Sequence, residues 1–155
     1  MAYEIEIKEL PAQPAVVVRF TAHVSEMGEP LGRAFGATMQ HIEATGAGIA
    51  GPPFAYYEQL GNGHFDVRAG FPVQTSVPGA GEVEAFEVTA GLVATTRHVG
   101  SYSKLSEAYE ALGRHAVAAG YDVDEQGPSW EQYLSPPETP PEQTQTLVYM
   151  PVRKT

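Results

Sequence analysis

The sequence runs through one order of elements twice, and this repeat constrains the fold more than any other feature. Pro53 stands before an aromatic run in the first half, and Pro128, 75 positions later, stands before a similar run in the second half. Two further segments lie 79 positions apart and both carry a proline followed by valine, namely Phe71-Pro72-Val73 and Met150-Pro151-Val152. A period of about half the chain indicates an internal duplication.

Hydrophobic periodicity predicts two strands, a helix and a β-hairpin in the first half. Alternating apolar residues indicate strands, apolar residues three and four positions apart indicate one face of a helix, and Gly-Asn-Gly between aromatic runs favours a hairpin. The predicted segments are strands at 5–7 and 15–20, a helix from Ser25 to about Gly46 with Leu31, Phe35, Met39 and Ile42 on one face, and hairpin strands at 54–57 and 65–71. The turn-forming residues 76–81 then suit a connector.

The second half repeats this order. Its predicted strands are 83–88, 92–99, 130–134 and 145–152. Its predicted helix has Ser101 or Ser103 as N-cap and Gly120 at its C-terminus. The buried face of this helix consists of Leu105, Ala108, Tyr109, Leu112 and Ala116. We therefore expect an α+β fold with an antiparallel sheet. It consists of two strand-helix-strand-strand modules, about 3–75 and about 82–153, related by a pseudo-twofold axis around a central ligand cleft.

Charge and composition exclude several classes of function. The net charge of −10, from 9 basic and 19 acidic residues, opposes nucleic-acid binding, which depends on Lys and Arg neutralising phosphates. The same charge favours a cationic ligand, although solubility explains it equally well. The absence of cysteine excludes disulfides and Cys-rich zinc sites, and the five histidines lack metal-ligand spacing, so we expect no metal and no cofactor. Without an export signal or membrane span, we expect a cytoplasmic protein.

Glu131 is the residue whose chemistry stands out, because it lies in an apolar and aromatic run between prolines. Strand alternation places it on the same face as Tyr133 and opposite Trp130 and Gln132. A buried carboxylate is costly, so it either pairs with a ligand cation or takes up a proton. The alternative is a strand glutamate that faces solvent.

Four stretches of the chain, in this order and spacing, resemble the GyrI-like effector-binding domains, which also form the C-terminal part of AraC-type and MerR-type multidrug regulators. The stretches are 66–73, 98–102, and 127–134 followed by 147–152. The resemblance covers nearly the whole chain, so we expect one GyrI-like domain over residues 1–155. Because no helix-turn-helix sequence precedes Tyr3, we expect a stand-alone form.

The resemblance implies modules that bind bulky, often cationic, hydrophobic compounds. It implies that Glu131 is the glutamate at the pocket floor, that Tyr149 is a pocket tyrosine, and that Tyr56 occupies in the first half the place of Glu131. The full set of expected ligand contacts is Glu131, Tyr149, Tyr56, Tyr133, Phe71 and Trp130.

Two other functions stay open at this point. Some members of the resembled family are hydrolases of strained electrophiles; in that case Glu131 would be the general base and Tyr149 a hydrogen-bond donor to the substrate. The family's name also suggests a gyrase-inhibitor-like modulator, acting through the acidic surface on a topoisomerase or on a separate regulator.

Overall fold

The computed structural model describes residues 3–88, 90–123, 128–136 and 138–155, so Gly127 of the stretch 127–134 lies outside the described residues. The fold is α+β and mostly antiparallel, as predicted. In chain order the elements are β1 (Ile5–Leu10), β2 (Gln13–His23), α1 (Gly28–Thr45), β3 (Phe54–Gly61), β4 (His64–Pro72), β5 (Val83–Val88), β6 (Gly91–Val99), α2 (Leu105–Ala118), β7 (Tyr121–Val123), β8 (Ser129–Tyr133) and β9 (Gln145–Lys154). Neither described helix is long and apolar enough to span a membrane.

One compact unit contains β2, β3, β4, β5 and α1, and we call it the α1 unit. Its strands pair antiparallel in the order β3-β4-β2-β5. α1 packs on β2 and β4, and it buries Ala34, Thr38 and Ile42. The contact between Phe35 of α1 and Phe71 of β4, with ring centroids 6.0 Å apart, identifies the sheet face that the helix covers.

The second compact unit, the α2 unit, contains β1, β6, α2, β7, β8 and β9. Its strand order is β1-β6-β9-β8, again antiparallel, and β7 pairs with the end of β9. α2 covers a core whose fully packed members are Ala94, Ala108, Leu112, Ala116, Val148 and Val152. Three of these residues belong to the helix face predicted from spacing, while Leu105 and Tyr109 of that face are half-buried.

The two units have matching strand orders, but the outer strand of each unit comes from the other half of the sequence. Each outer strand comes from the segment that precedes the other unit's helix: β1 pairs with β6, and β5 pairs with β2. The predicted modules, about 3–75 and about 82–153, follow the sequence repeat, whereas the compact units each take their outer strand from the other repeat.

Turn chemistry explains how the main elements end. Asn62 and Gly63 both have positive φ, 54° and 76°, as a type I′ hairpin turn requires. Ser101 accepts a hydrogen bond from the Ser103 amide and caps a 3-10 turn, Tyr102–Lys104, that leads directly into α2. Gly120, with φ of 90°, follows the end of α2 at the predicted place.

Candidate functional site

Glu131 lies in the middle of β8 and faces α2. It pairs across the sheet with Val148, which belongs to the core under the helix, and cross-strand partners project from the same face. Only 8% of its surface is exposed. The structure thus confirms the face that alternation predicted for Glu131 and Tyr133, and it excludes a strand glutamate that faces solvent.

Two tyrosine hydroxyls hold the carboxylate. Tyr109, on α2, donates to Oε2 at 2.6 Å, and Tyr133, on β8, donates to Oε1 at 2.9 Å. Tyr102, in the turn before α2, packs edge-on against Tyr133 with ring centroids 6.0 Å apart. We call Glu131, Tyr102, Tyr109 and Tyr133 the Glu131 cluster. None of the ion pairs formed by the described residues includes Glu131.

Burial dominates the electrostatics of this cluster. It raises the pKa of Glu131, while the hydroxyls of Tyr109 and Tyr133 and the charge of His98 act in the opposite direction. The pKa of Tyr102 is raised too, first by burial and then by the nearby Glu131 charge. The site therefore holds a carboxylate that hydrogen bonds stabilise but that forms no direct ion pair with any described residue to compensate its desolvation.

His98 lies on the same face of the α2 unit and connects segments around the cluster. Its Nε2 lies 2.9 Å from the Ser101 carbonyl oxygen, and its Nδ1 lies 3.0 Å from the Tyr3 hydroxyl. Nε2–H therefore donates to Ser101, and Nδ1 accepts from Tyr3 when the ring is neutral. The Nε2 bond thus fixes the start of the turn that carries Tyr102, and the Nδ1 bond holds Tyr3.

Trp130 and Tyr149 lie on the opposite face of the same sheet. Their rings stack with centroids 5.5 Å apart and planes at 12°, and the Tyr149 hydroxyl donates to Gln132 Oε1 at 2.9 Å. Tyr149 follows Val148, the partner of Glu131, so alternation turns it away. The predicted pairing of Glu131 as general base with Tyr149 as hydrogen-bond donor to the same substrate therefore does not fit the register, because the sheet separates the two side chains.

Tyr56 and Phe71 belong to the α1 unit and face opposite sides of its sheet. Tyr56 is cross-strand to Arg68 and packs edge-on against Phe86, with centroids 5.3 Å apart. Phe71 lies on the face that α1 covers. The structure therefore does not bring these two predicted contacts together within their unit.

Sheet register also corrects the equivalence between Tyr56 and Glu131. In the α2 unit, Glu131 pairs with Val148, which lies three residues before Pro151 of β9. In the α1 unit, the residue three before Pro72 of β4 is Ala69, and it pairs with Ala55. Ala55 therefore occupies the place of Glu131, and Tyr56 is one residue further along. Tyr56 and Glu131 each follow a proline by three positions, Pro53 and Pro128, but the register of the two strands differs by one residue from that spacing.

Sequence reasoning missed three residues around the carboxylate. Tyr109 had been assigned to the helix core only, and Tyr102 and Thr146 had not been singled out. Tyr102 lies in a turn without periodicity, and Thr146 is a small polar residue at the start of β9. For Tyr109, the sequence did contain an indication: it lies four positions after Leu105 on the buried helix face, so its phenol is expected to face the sheet.

A separate open pocket of about 660 Å³ lies where β2 leads into α1, and it contains none of the predicted site residues. His23 and His64 lie there with ring centroids 5.0 Å apart. Over the part of the chain that the structure describes, no group of three or more His, Asp or Glu residues is arranged to hold a metal ion.

A family model described as the GyrI-like small molecule binding domain matches residues 3–153. The chain belongs to the GyrI-like family. Its assigned role at this level is therefore small-molecule binding. A search of curated proteins finds no significant match.

Solved structures share the fold at low sequence identity. The EcmrR C-terminal domain is 21% identical with a TM-score of 0.81, and each chain is covered completely. A hydrolase from Listeria innocua is 14% identical with a TM-score of 0.70, over 96% of this chain and 91% of that one. The protein SAV2435, bound to tetraphenylphosphonium, is 14% identical with a TM-score of 0.58, over 99% and 94%.

Proposed function

We propose that this GyrI-like domain binds bulky, hydrophobic cations with Glu131 as the acidic contact. The observation that carries the proposal is a buried carboxylate surrounded by phenol rings with no ion-pair partner among the described residues. A ligand cation would supply the missing charge, and the faces of Tyr102, Tyr109 and Tyr133 would attract it, by roughly 0.5–2 kcal/mol for each cation–π contact.

Charge and family support the same class of ligand. The acidic chain attracts cations over distance, and a protein of this fold, SAV2435, is bound to the lipophilic cation tetraphenylphosphonium. In the unliganded protein the two tyrosine hydroxyls satisfy the carboxylate oxygens. A large cation without hydrogen-bond donors is attracted to such an anion by charge alone, so it does not compete with the hydroxyls for the lone pairs of the carboxylate.

Calorimetric titration of tetraphenylphosphonium into the parent protein and Glu131→Gln tests this proposal. Glutamine keeps the size of the side chain but removes its charge. At about 6 Å and an effective dielectric constant of about 20, the lost attraction is roughly 3 kcal/mol, or about 100-fold in Kd. The exposed Glu110, on the same helix as Tyr109, provides Glu110→Gln as the control. Equal affinity in parent and Glu131→Gln would refute the role of the carboxylate.

A hydrolase is the second candidate, favoured by the raised pKa of Glu131. A carboxylate in such surroundings is suited to remove a proton from water near neutral pH. The hydrogen-bond donor to the substrate would then be Tyr109 or Tyr133, which lie on the face of Glu131, rather than Tyr149, and that tyrosine would exchange its bond to the carboxylate for one to the substrate.

Incubation with styrene oxide, followed by mass spectrometry, tests this second candidate. Glu131 would remove a proton from the attacking water, a C–O bond of the epoxide would break, and the oxygen would be protonated to give the diol. Diol formation by the parent but not by Glu131→Gln would support catalysis. Unchanged epoxide at the rate of the protein-free control would reject it for this electrophile class.

A further inference from the structure

Thr146, in β9, carries a fully buried hydroxyl that has no hydrogen-bond partner among the described residues. Buried polar groups are normally hydrogen-bonded, and leaving one unsatisfied costs stability. Neighbouring threonines follow this rule: Thr96 donates to the Glu4 carbonyl at 2.7 Å, and Thr144 donates to the Pro140 carbonyl at 3.2 Å. The hydroxyl of Thr146 therefore needs a physical explanation.

The residues that flank Thr146 explain why the protein itself does not satisfy it. Its cross-strand partner on β6 is His98, and both nitrogens of that ring already bond to Tyr3 and Ser101. Its partner on β8 is Tyr133, whose hydroxyl reaches away to Glu131. Each neighbour thus has its polar atoms engaged elsewhere.

Register places Thr146 on the same face as Glu131. Thr146 pairs with Tyr133, and Glu131 is two residues along β8, which makes the two side chains diagonal neighbours. Diagonal positions in an antiparallel pair lie about 7–8 Å apart. The unsatisfied hydroxyl is therefore within the span of one small organic molecule that contacts Glu131.

We propose that the Thr146 hydroxyl binds a hydrogen-bonding group of the same ligand whose cationic centre lies at Glu131. The favoured ligand is then a lipophilic cation that also carries a hydroxyl, carbonyl or N–H group. This assignment rests on the proposed function, because it places the cation at the carboxylate.

Tyr133 connects the two contacts. Its ring is the cross-strand neighbour of Thr146, and its hydroxyl occupies Oε1 of Glu131. Because Thr146 is fully buried, a ligand reaches its hydroxyl only when a neighbouring ring moves aside, and the proposal assigns that movement to Tyr133. The half-exposed ring of Tyr102 rests against Tyr133 and connects it to the protein surface.

A matched pair of probes tests the assignment. They are (4-ethylphenyl)triphenylphosphonium and [4-(hydroxymethyl)phenyl]triphenylphosphonium. The two cations have the same charge and nearly the same shape, because the second carries a hydroxyl where the first carries a terminal methyl group. We expect the parent to bind the hydroxymethyl probe about tenfold more tightly, the value of one hydrogen bond in a dry site. Thr146→Val should remove this preference while binding the ethyl probe as the parent does, and Thr146→Ser should keep it.

Thermal unfolding of the unliganded proteins provides a second measurement. Thr146→Val should unfold at the temperature of the parent or above it, because the variant loses a hydroxyl without a partner. Thr38→Val is the control: Thr38 is equally buried, but its hydroxyl donates to the Ala34 carbonyl at 2.8 Å, so this variant should unfold at a lower temperature.

The outcomes separate this assignment from the function on which it rests. Failure of both probes to bind would refute the proposed function and the assignment together. Binding of both probes with equal affinity, or a preference that survives in Thr146→Val, would overturn the assignment alone and leave the hydroxyl to a structural water. A fall in the unfolding temperature of Thr146→Val that matches Thr38→Val would overturn it too.

Discussion

Replacing Glu131 with glutamine is expected to change how the free energy of unfolding depends on pH. Burial raises the pKa of Glu131 in the folded protein above its ordinary value of 4.5. Between these two pKa values the folded state binds more protons than the unfolded state. Stability must therefore fall as the pH rises through this window, and it becomes constant above the folded pKa.

The magnitude follows from the linkage relation. One group that is protonated in the folded state and ionised in the unfolded state contributes a slope of at most about 1.4 kcal/mol per pH unit. Glu131→Gln cannot ionise at this position, so its slope is smaller by this amount within the window. Any change in the hydrogen bonds from Tyr109 and Tyr133 to the neutral amide adds an offset but no slope of its own.

Urea denaturation of parent and variant from about pH 5 to about pH 8 measures this difference. All other titrating groups are shared, so they cancel when the two curves are subtracted. Glu110→Gln, at an exposed position on α2, is the matched control and should follow the parent. Parallel curves for the parent and Glu131→Gln would refute the claim that burial holds the pKa of Glu131 above its ordinary value.

Three further predictions concern one hydrogen-bond donor to Glu131 and two residues of the α1 unit. Tyr109→Phe removes a donor to the carboxylate and should lower stability by about 1.5–3 kcal/mol at pH 8 but by less at pH 5, as urea titrations at both values would show. Asp66→Asn should destabilise the protein at pH 7 and make little difference once the pH falls below the folded pKa of Asp66, because the bidentate bond from Arg19 lowers that pKa; circular dichroism melts across acidic pH check this. Gly70→Ala should lower the free energy of unfolding by about 3 kcal/mol or more in the same melts, because the added Cβ would overlap the Val16 carbonyl oxygen.

Sequence patterns were sufficient for most helices and strands, though not for β7, and for the face of Glu131. Alternation along β8 alone separates Glu131 and Tyr133 from Trp130, because successive strand residues project to opposite sides. The Asn62-Gly63 turn and Gly120 after α2 were predictable from residue type, because glycine and asparagine are the residues that most readily adopt the positive φ that these positions require.

The register and pairing of the strands could not be predicted from the sequence. The face of Tyr149 relative to Glu131 depends on the register of β8 against β9, and a slip of one residue reverses every side chain. The exchange of β1 and β5 depends on which strand edge each segment joins, and both segments carry similar alternation. Tyr102 and Thr146 become notable only when the sheet and the turn bring them beside Tyr133.

The most direct test of the central claim is whether binding of a lipophilic cation releases a proton from Glu131. Calorimetry of tetraphenylphosphonium binding at several pH values between about 5 and about 8, in two buffers with different ionisation enthalpies, measures the number of protons exchanged. Because a cation favours the ionised carboxylate, the parent should release protons on binding, and Glu131→Gln should release none. Identical binding enthalpies in both buffers for the parent at every pH, or equal proton release by Glu131→Gln, would contradict the proposal that Glu131 is the counter-ion of the ligand.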